Sequence, residues 1–104
     1  MPFTEERAER LKELFELIEQ NGDCTAHELT YLAVPYLKET EEIVNAQLAS
    51  EEPYEKVTLL DSATIMRYLA EAYDRLGRFA VSVRYYNRAI ELAATLYTMY
   101  GEEM

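Results

Sequence analysis

What most constrains this chain is its punctuation. Only three glycines and three prolines interrupt 104 residues. Nowhere between them do apolar and polar residues alternate with the period of two that a half-buried strand needs. Apolar residues recur instead every three or four positions, the period of an α-helix. The expectation is an all-α fold of about four helices, in a single helical domain covering residues 1–104.

Local signals set the helix limits. Thr4 can cap a first helix, with Glu5 and Glu6 at the positive end of its dipole. Its stripe is Ala8, Leu11, Leu14, Phe15 and Ile18, widened by Leu17, and Asn21-Gly22 ends it through a positive-φ turn. Thr25 and Glu28 form the Thr-x-x-Glu pair of a capping box and open a second helix. That helix carries Leu29, Leu32, Ala33, Tyr36, Ile43, Val44 and Leu48. Pro35 lies inside it, which predicts a kink or a break into two shorter helices. Ser50-Glu51-Glu52-Pro53 reads as a linker, with Pro53 as the first residue of a third helix. The third stripe is Leu59, Ile65, Met66, Leu69, Ala72, Tyr73 and Leu76, stopped by Gly77. Asp61-Ser62 offers a second start signal, leaving the segment before it open as a separate turn. A fourth helix is expected from about Arg78 to about Tyr100, ended by Gly101. Loops this short make consecutive helices antiparallel neighbours.

Charge is unevenly spread. The chain has twenty Asp+Glu and ten Lys+Arg, a formal net charge of −10. Residues 1–60 hold fourteen acids and five bases, net −9; residues 61–104 hold six acids and five bases, net −1. All five bases in the second part are arginines: Arg67, Arg75, Arg78, Arg84 and Arg88. The glutamates read as solvated helical surface. Such acidity repels phosphate backbones and anionic lipid, which argues against nucleic acid and membrane as partners. An apolar share of 49% is enough for a core. Cys24 is the only cysteine, so no intrachain disulfide can form. No apolar run approaches the ~18 residues of a membrane span. The start, Met1 to Glu6, lacks a basic signal-peptide region, so a cytoplasmic protein is expected.

One motif is specific. Ala72-Tyr73-Asp74-Arg75-Leu76-Gly77-Arg78-Phe79, followed by Tyr85-Tyr86-Asn87-Arg88-Ala89-Ile90-Glu91-Leu92, resembles the tetratricopeptide repeat (TPR) family. Leu69, Tyr73, Phe79, Tyr86 and Ala89 stand at the packing positions of its pattern, with Gly77 at the turn. Met66 replaces its tryptophan, Ala70 its glycine, Ser82 its alanine and Ala94 its terminal proline. Small residues at Ala70, Ser82 and Ala89 let two helices approach, while Tyr73, Phe79 and Tyr86 are expected to fill the angle between them. Placing Gly22 on Gly77 aligns Leu14 with Leu69, Ile18 with Tyr73, Tyr31 with Tyr86 and Val34 with Ala89. The resemblance implies a right-handed array of two antiparallel helical hairpins: a degenerate one at 4–50 and a TPR-like one at 54–100.

The resemblance also implies a concave groove that grips a protein or peptide partner. The matching positions are Thr64, Arg67, Tyr68, Glu71, Asp74 and Arg75. Arg67 stands where some peptide-binding members carry a basic residue for a ligand carboxylate, and Glu71 where those members carry asparagine. Arg67, Glu71 and Arg75 are equally spaced for i,i+4 ion pairs.

Helix four has surplus apolar surface. One stripe is Phe79, Val83, Tyr86, Ile90, Ala93, Tyr97 and Tyr100; a second is Tyr85, Ala89, Leu92, Leu96 and Met99. Two neighbours are needed to cover both. A homodimer through Leu96, Tyr97 and Tyr100 is the expected second cover. The competing arrangement is a monomer in which Pro35 bends helix two across helix four.

Chemistry is sparsely represented. His27-Glu28 begins like a zinc-protease motif but has no second histidine, and one His with one Cys cannot build a nitrogen- or sulfur-rich metal site. Cys24 has only His27 as a candidate base and reads as a buried structural residue. No glycine-rich phosphate loop or nucleophile elbow is present. No cofactor, metal or catalytic residue is expected. The sequence points to a non-catalytic adaptor. The alternatives are a small acidic secretion-chaperone-like protein and a regulatory, ligand-sensing helical subunit.

Overall fold

The computed structural model describes residues 3–20 and 24–101, and within them every regular element is helical. Helix α1 is Glu5–Glu19, and the Thr4 hydroxyl accepts from the Arg7 amide at 3.1 Å. The Asn21-Gly22 stop signal lies outside the described residues.

Helix α2 covers 26–50 without a break: an α-turn Ala26–Glu28, a π turn Leu29–Ala33, and α-helix Val34–Ser50. Its capping box is complete, with Glu28 N–H to Thr25 Oγ1 at 3.1 Å and Thr25 N–H to Glu28 Oε1 at 3.0 Å. Pro35 neither breaks the helix nor removes it from the fold. The turn before it widens, so that the Val34 amide reaches the Leu29 carbonyl five residues back. A π turn is one of the few ways a helix re-routes its hydrogen bonds around a residue that cannot donate.

Helix α3 is Lys56–Arg75 and helix α4 is Phe79–Tyr100. Two start signals of the sequence are not used. Pro53 sits in the loop ahead of α3, which begins at Lys56. That loop is organised by the Glu51 carboxylate, which accepts from the Glu55 amide at 2.9 Å, Gln47 Nε2 at 2.9 Å and Thr58 Oγ1 at 2.8 Å. Asp61-Ser62 lies inside unbroken helix, because Thr58, Leu59, Ser62 and Ala63 around it are all buried. At Gly77 (φ 75°), the Arg78 amide reaches the Tyr73 carbonyl at 2.9 Å and the Gly77 amide reaches Asp74 at 3.0 Å. This is the paired closure of a Schellman turn, and it needs the left-handed conformation glycine adopts freely. Gly101 (φ 69°) ends α4 as expected.

Helix α3 is the axis of the molecule, packing on α1, α2 and α4. One core joins Leu11, Leu14 and Ile18 of α1 to Leu29, Ala33 and Leu37 of α2 and to Ile65, Leu69 and Ala72 of α3. A second joins Leu48 to Leu59, Ala63 and Met66 and to Ala89, Leu92 and Leu96 of α4. Between α3 and α4, buried Ser82 donates to the Ala70 carbonyl at 2.7 Å. The angle between them is filled differently from expectation. Tyr73 stacks on Tyr85, with centroids 5.7 Å apart and planes 4° apart. Phe79 and Tyr86 face outward, 62% and 37% exposed.

Candidate interaction surface

Helix α4 does carry two apolar stripes, and the structure covers one of them. Ala89, Leu92 and Leu96 are buried against α3, with Tyr85 partly buried beside them. The other stripe is open: Phe79, Val83, Ile90 and Tyr97 are each more than half exposed, and Tyr86 and Tyr100 nearly two-fifths. With Leu60 of α3, 40% exposed, it forms a groove of about 490 Å³ lined by Leu60, Thr64, Arg67, Tyr86, Ile90 and Ala93. The Tyr86 hydroxyl is raised above its usual range by partial burial, with the Glu71 and Asp74 carboxylates adding to the shift.

The residues expected to line a peptide groove divide into two groups. Thr64 and Arg67 do line this groove. The Thr64 hydroxyl is turned back to the Leu60 carbonyl at 2.8 Å. Tyr68 is a core residue, 5% exposed, with its ring stacked on Phe15 at 4.0 Å and the Arg67 guanidinium over it at 4.6 Å. Its hydroxyl donates to the Glu19 carboxylate. Burial, reinforced by that contact, pushes the phenol up to about 12. Arg67 pairs with Glu19 at 3.5 Å, and Arg75 donates to the Gln20 carbonyl at 3.1 Å. The ion pair of Arg67 thus crosses to α1 and does not run along α3 to Glu71. Arg75 meets the negative end of the α1 dipole. These side chains tie the end of α1 to α3. Glu71 is partly exposed at the edge of α3.

The expected dimer surface also divides. Leu96 is 1% exposed and belongs to the second core, so it is not available to a partner. Tyr97 is 56% exposed. The Tyr100 hydroxyl donates to the Tyr54 carbonyl, folding the end of α4 against the α2–α3 loop. Leu60 is the lining residue that the sequence reading does not name; Val83 and Ile90 stand in its outer stripe of 4-3-4-3 spacing but outside the expected dimer surface.

Across the molecule, a groove of about 430 Å³ between α2 and α4 collects Lys38, Arg78, Arg84 and Arg88 with one acid, Glu41. Lys38 Nζ reaches Glu41 at 2.8 Å and the Tyr85 hydroxyl at 2.7 Å. Those two bonds, Glu41 first, hold the ammonium pKa well above its ordinary value. Arg78 lies over the Tyr73 ring at 5.3 Å.

Cys24 is buried, and its thiol is raised mainly by that burial, with Glu28 adding to the shift. His27 packs on the Tyr31 ring, with centroids 4.7 Å apart. Among the described residues no group of three His, Cys, Asp or Glu side chains converges as a metal site would, and no helix is long and apolar enough to cross a membrane. No protein-family model, curated protein or solved structure matches the chain.

Proposed function

We propose that this chain is a non-catalytic, tetratricopeptide-like protein-interaction module. Its two hairpins are α1–α2 and α3–α4, and its binding face is the groove between α3 and α4. The observation that carries the reading is the outer stripe of α4. Six large apolar side chains along one 22-residue helix stand 37% to 65% exposed. Four are aromatic, and an aromatic ring offers about 150–250 Å² to bury. With Val83 and Ile90 the patch is on the order of 600 Å², at the upper limit for a protein that binds nothing. The TPR-like arrangement is supported by the Schellman turn at Gly77, the close approach at Ala70 and Ser82, and the burial of Leu69, Tyr73 and Ala89.

The acidic chain disfavours nucleic acid and anionic membrane as the bound partner. The ligand-sensing alternative needs an enclosed chamber, and the concavities described above are surface grooves. A photo-crosslinking residue placed at Ile90 in the native cell tests the reading. It should trap a protein adduct that the same residue at outward-facing Arg84 does not. Absence of any adduct at Ile90 refutes the module.

A further inference from the structure

We infer that the partner seated on the outer stripe of α4 is a second copy of this chain, packed antiparallel about a two-fold axis at Ile90. The inference rests on the module reading and names its occupant.

The stripe is a coiled-coil seam. Residues 79, 83, 86, 90, 93, 97 and 100 follow steps of four and three without interruption along α4. A 3.5-residue repeat keeps one seam facing one partner helix for its whole length. The core stripe beside it already faces α3, so the seam is addressed to something else. Its open flank is Ala80, Asn87 and Ala94, all exposed, small or uncharged. A second helix can therefore approach closely on that side.

Side-chain size selects the direction. In an antiparallel pair centred on Ile90, Val83 faces the Tyr97 of the other copy and Tyr86 faces its Ala93-Ala94. Phe79 faces the helix end at Gly101, and Ile90 meets itself. Away from the Ile90 pair on the axis, each larger residue meets a smaller one, as close packing of facing positions requires. A parallel pair would set Tyr86 on Tyr86 and Tyr97 on Tyr97, with gaps at Ala93. Opposed helix dipoles favour the same direction.

Charge selects the occupant. Two chains of net charge −10 repel one another over most of their surfaces. The seam side chains themselves carry no charge, and beside them Arg67 lines the groove while Glu71 and Asp74 of α3 act on Tyr86, whereas α1 alone carries six glutamates. The seam is the face on which two copies meet with few opposed carboxylates. About 600 Å² from each copy gives roughly 1,200 Å², the lower limit of a stable interface.

Light scattering on the eluting full chain should give twice 12.1 kDa, falling toward the monomer on dilution. Ile90→Glu should elute as a monomer with unchanged far-UV circular dichroism, since Ile90 is 65% exposed and outside the core. Cysteine crosslinking then reads the geometry, with buried Cys24 as the silent control in the wild type. Ile90→Cys should oxidise to a covalent dimer by itself. Val83→Cys should crosslink only when mixed with Tyr97→Cys. A monomeric wild type, or a dimer that Ile90→Glu leaves intact, overturns the proposal. Rapid self-crosslinking of Val83→Cys overturns the antiparallel geometry. If the Ile90 photo-adduct contains a different protein and the isolated chain is monomeric, the module reading survives and the self-association falls.

Discussion

Replacing Tyr68 separates a binding residue from a structural one. Its sequence position implies a ligand contact in a peptide groove, yet its ring stacks on Phe15 at 4.0 Å, the Arg67 guanidinium lies 4.6 Å from it, and the residue is 5% exposed. Truncating a buried aromatic costs about 3–5 kcal/mol, and the lost stack alone accounts for roughly 1 kcal/mol of that. Tyr68→Ala should therefore cost about 4 kcal/mol, a large part of the 5–15 kcal/mol typical of a whole domain. Tyr68→Phe keeps the ring and loses only the bond to Glu19. Bonds to charged groups contribute about 1.5–3 kcal/mol when dry. The Glu19 side chain is 53% exposed, so about 1 kcal/mol is the expected loss.

Urea unfolding followed by far-UV circular dichroism reads both variants. With a slope near 2 kcal/mol/M, the midpoint should fall by roughly 2 M for Tyr68→Ala and 0.5 M for Tyr68→Phe. Alkaline pH supplies an independent check. The folded phenol is raised to about 12 from its ordinary 10.0. The folded state thus holds its proton more tightly than the unfolded chain. The stability this linkage contributes is complete below pH 10 and is lost as pH rises toward 12. Tyr68→Phe should flatten that alkaline loss. A Tyr68→Ala protein as stable as wild type, with its alkaline transition unchanged, would refute the structural assignment and return Tyr68 to the ligand.

The remaining predictions concern a loop carboxylate, a partly buried carboxyl and a helix cap. Glu51 is held below its ordinary 4.5, first by the Glu55 amide and then by Gln47 and Thr58. Its contribution is present above pH 4.5 and lost as pH falls through the lower folded value, so Glu51→Gln should lower the neutral-pH melting temperature and flatten the acid limb. Asp61 is raised above 3.8 by burial, and its Oδ2 has no hydrogen-bond partner. Wild-type stability should fall as pH rises from 3.8 through the folded value, and Asp61→Ala should add about 1 kcal/mol at pH 7 by urea unfolding. Thr25→Ala removes one side of the capping box and should cost about 1 kcal/mol, with faster hydrogen exchange confined to the first turns of α2.

Signals that act within a turn were legible in sequence, because the partner is only a few residues away. The Thr25–Glu28 box, the Thr4 cap, and the glycine stops at Gly77 and Gly101 are all of this kind. The same local chemistry misplaced the start of α3, where Pro53 and Asp61-Ser62 looked like caps. Tertiary burial overrides them: Thr58, Leu59, Ser62 and Ala63 enter the core together, and only unbroken helix carries them there. Surface assignment failed for a related reason. Periodicity shows that a helix has two apolar stripes but not which one its neighbour takes. Around α3 the question hardly arises, since Ile65, Met66, Tyr68, Leu69, Ala70, Ala72 and Tyr73 are buried almost all round it. A helix with such a ring of apolar and small residues sits between neighbours, and Tyr68 could have been assigned to the core on that ground. Helix α4 has one principal neighbour and covers one stripe, which takes Leu96 inward and leaves Tyr97 outside. The charge divides along the same line. Arg67 and Arg75 are used to bind α1 to α3, and Lys38 pairs within α2 and with Tyr85. What α4 presents outward is thus apolar on the seam and cationic on the opposite groove. An acidic chain that keeps one of its long faces apolar and poor in carboxylates has somewhere to receive another acidic chain, which is why the composition and the seam point to the same partner.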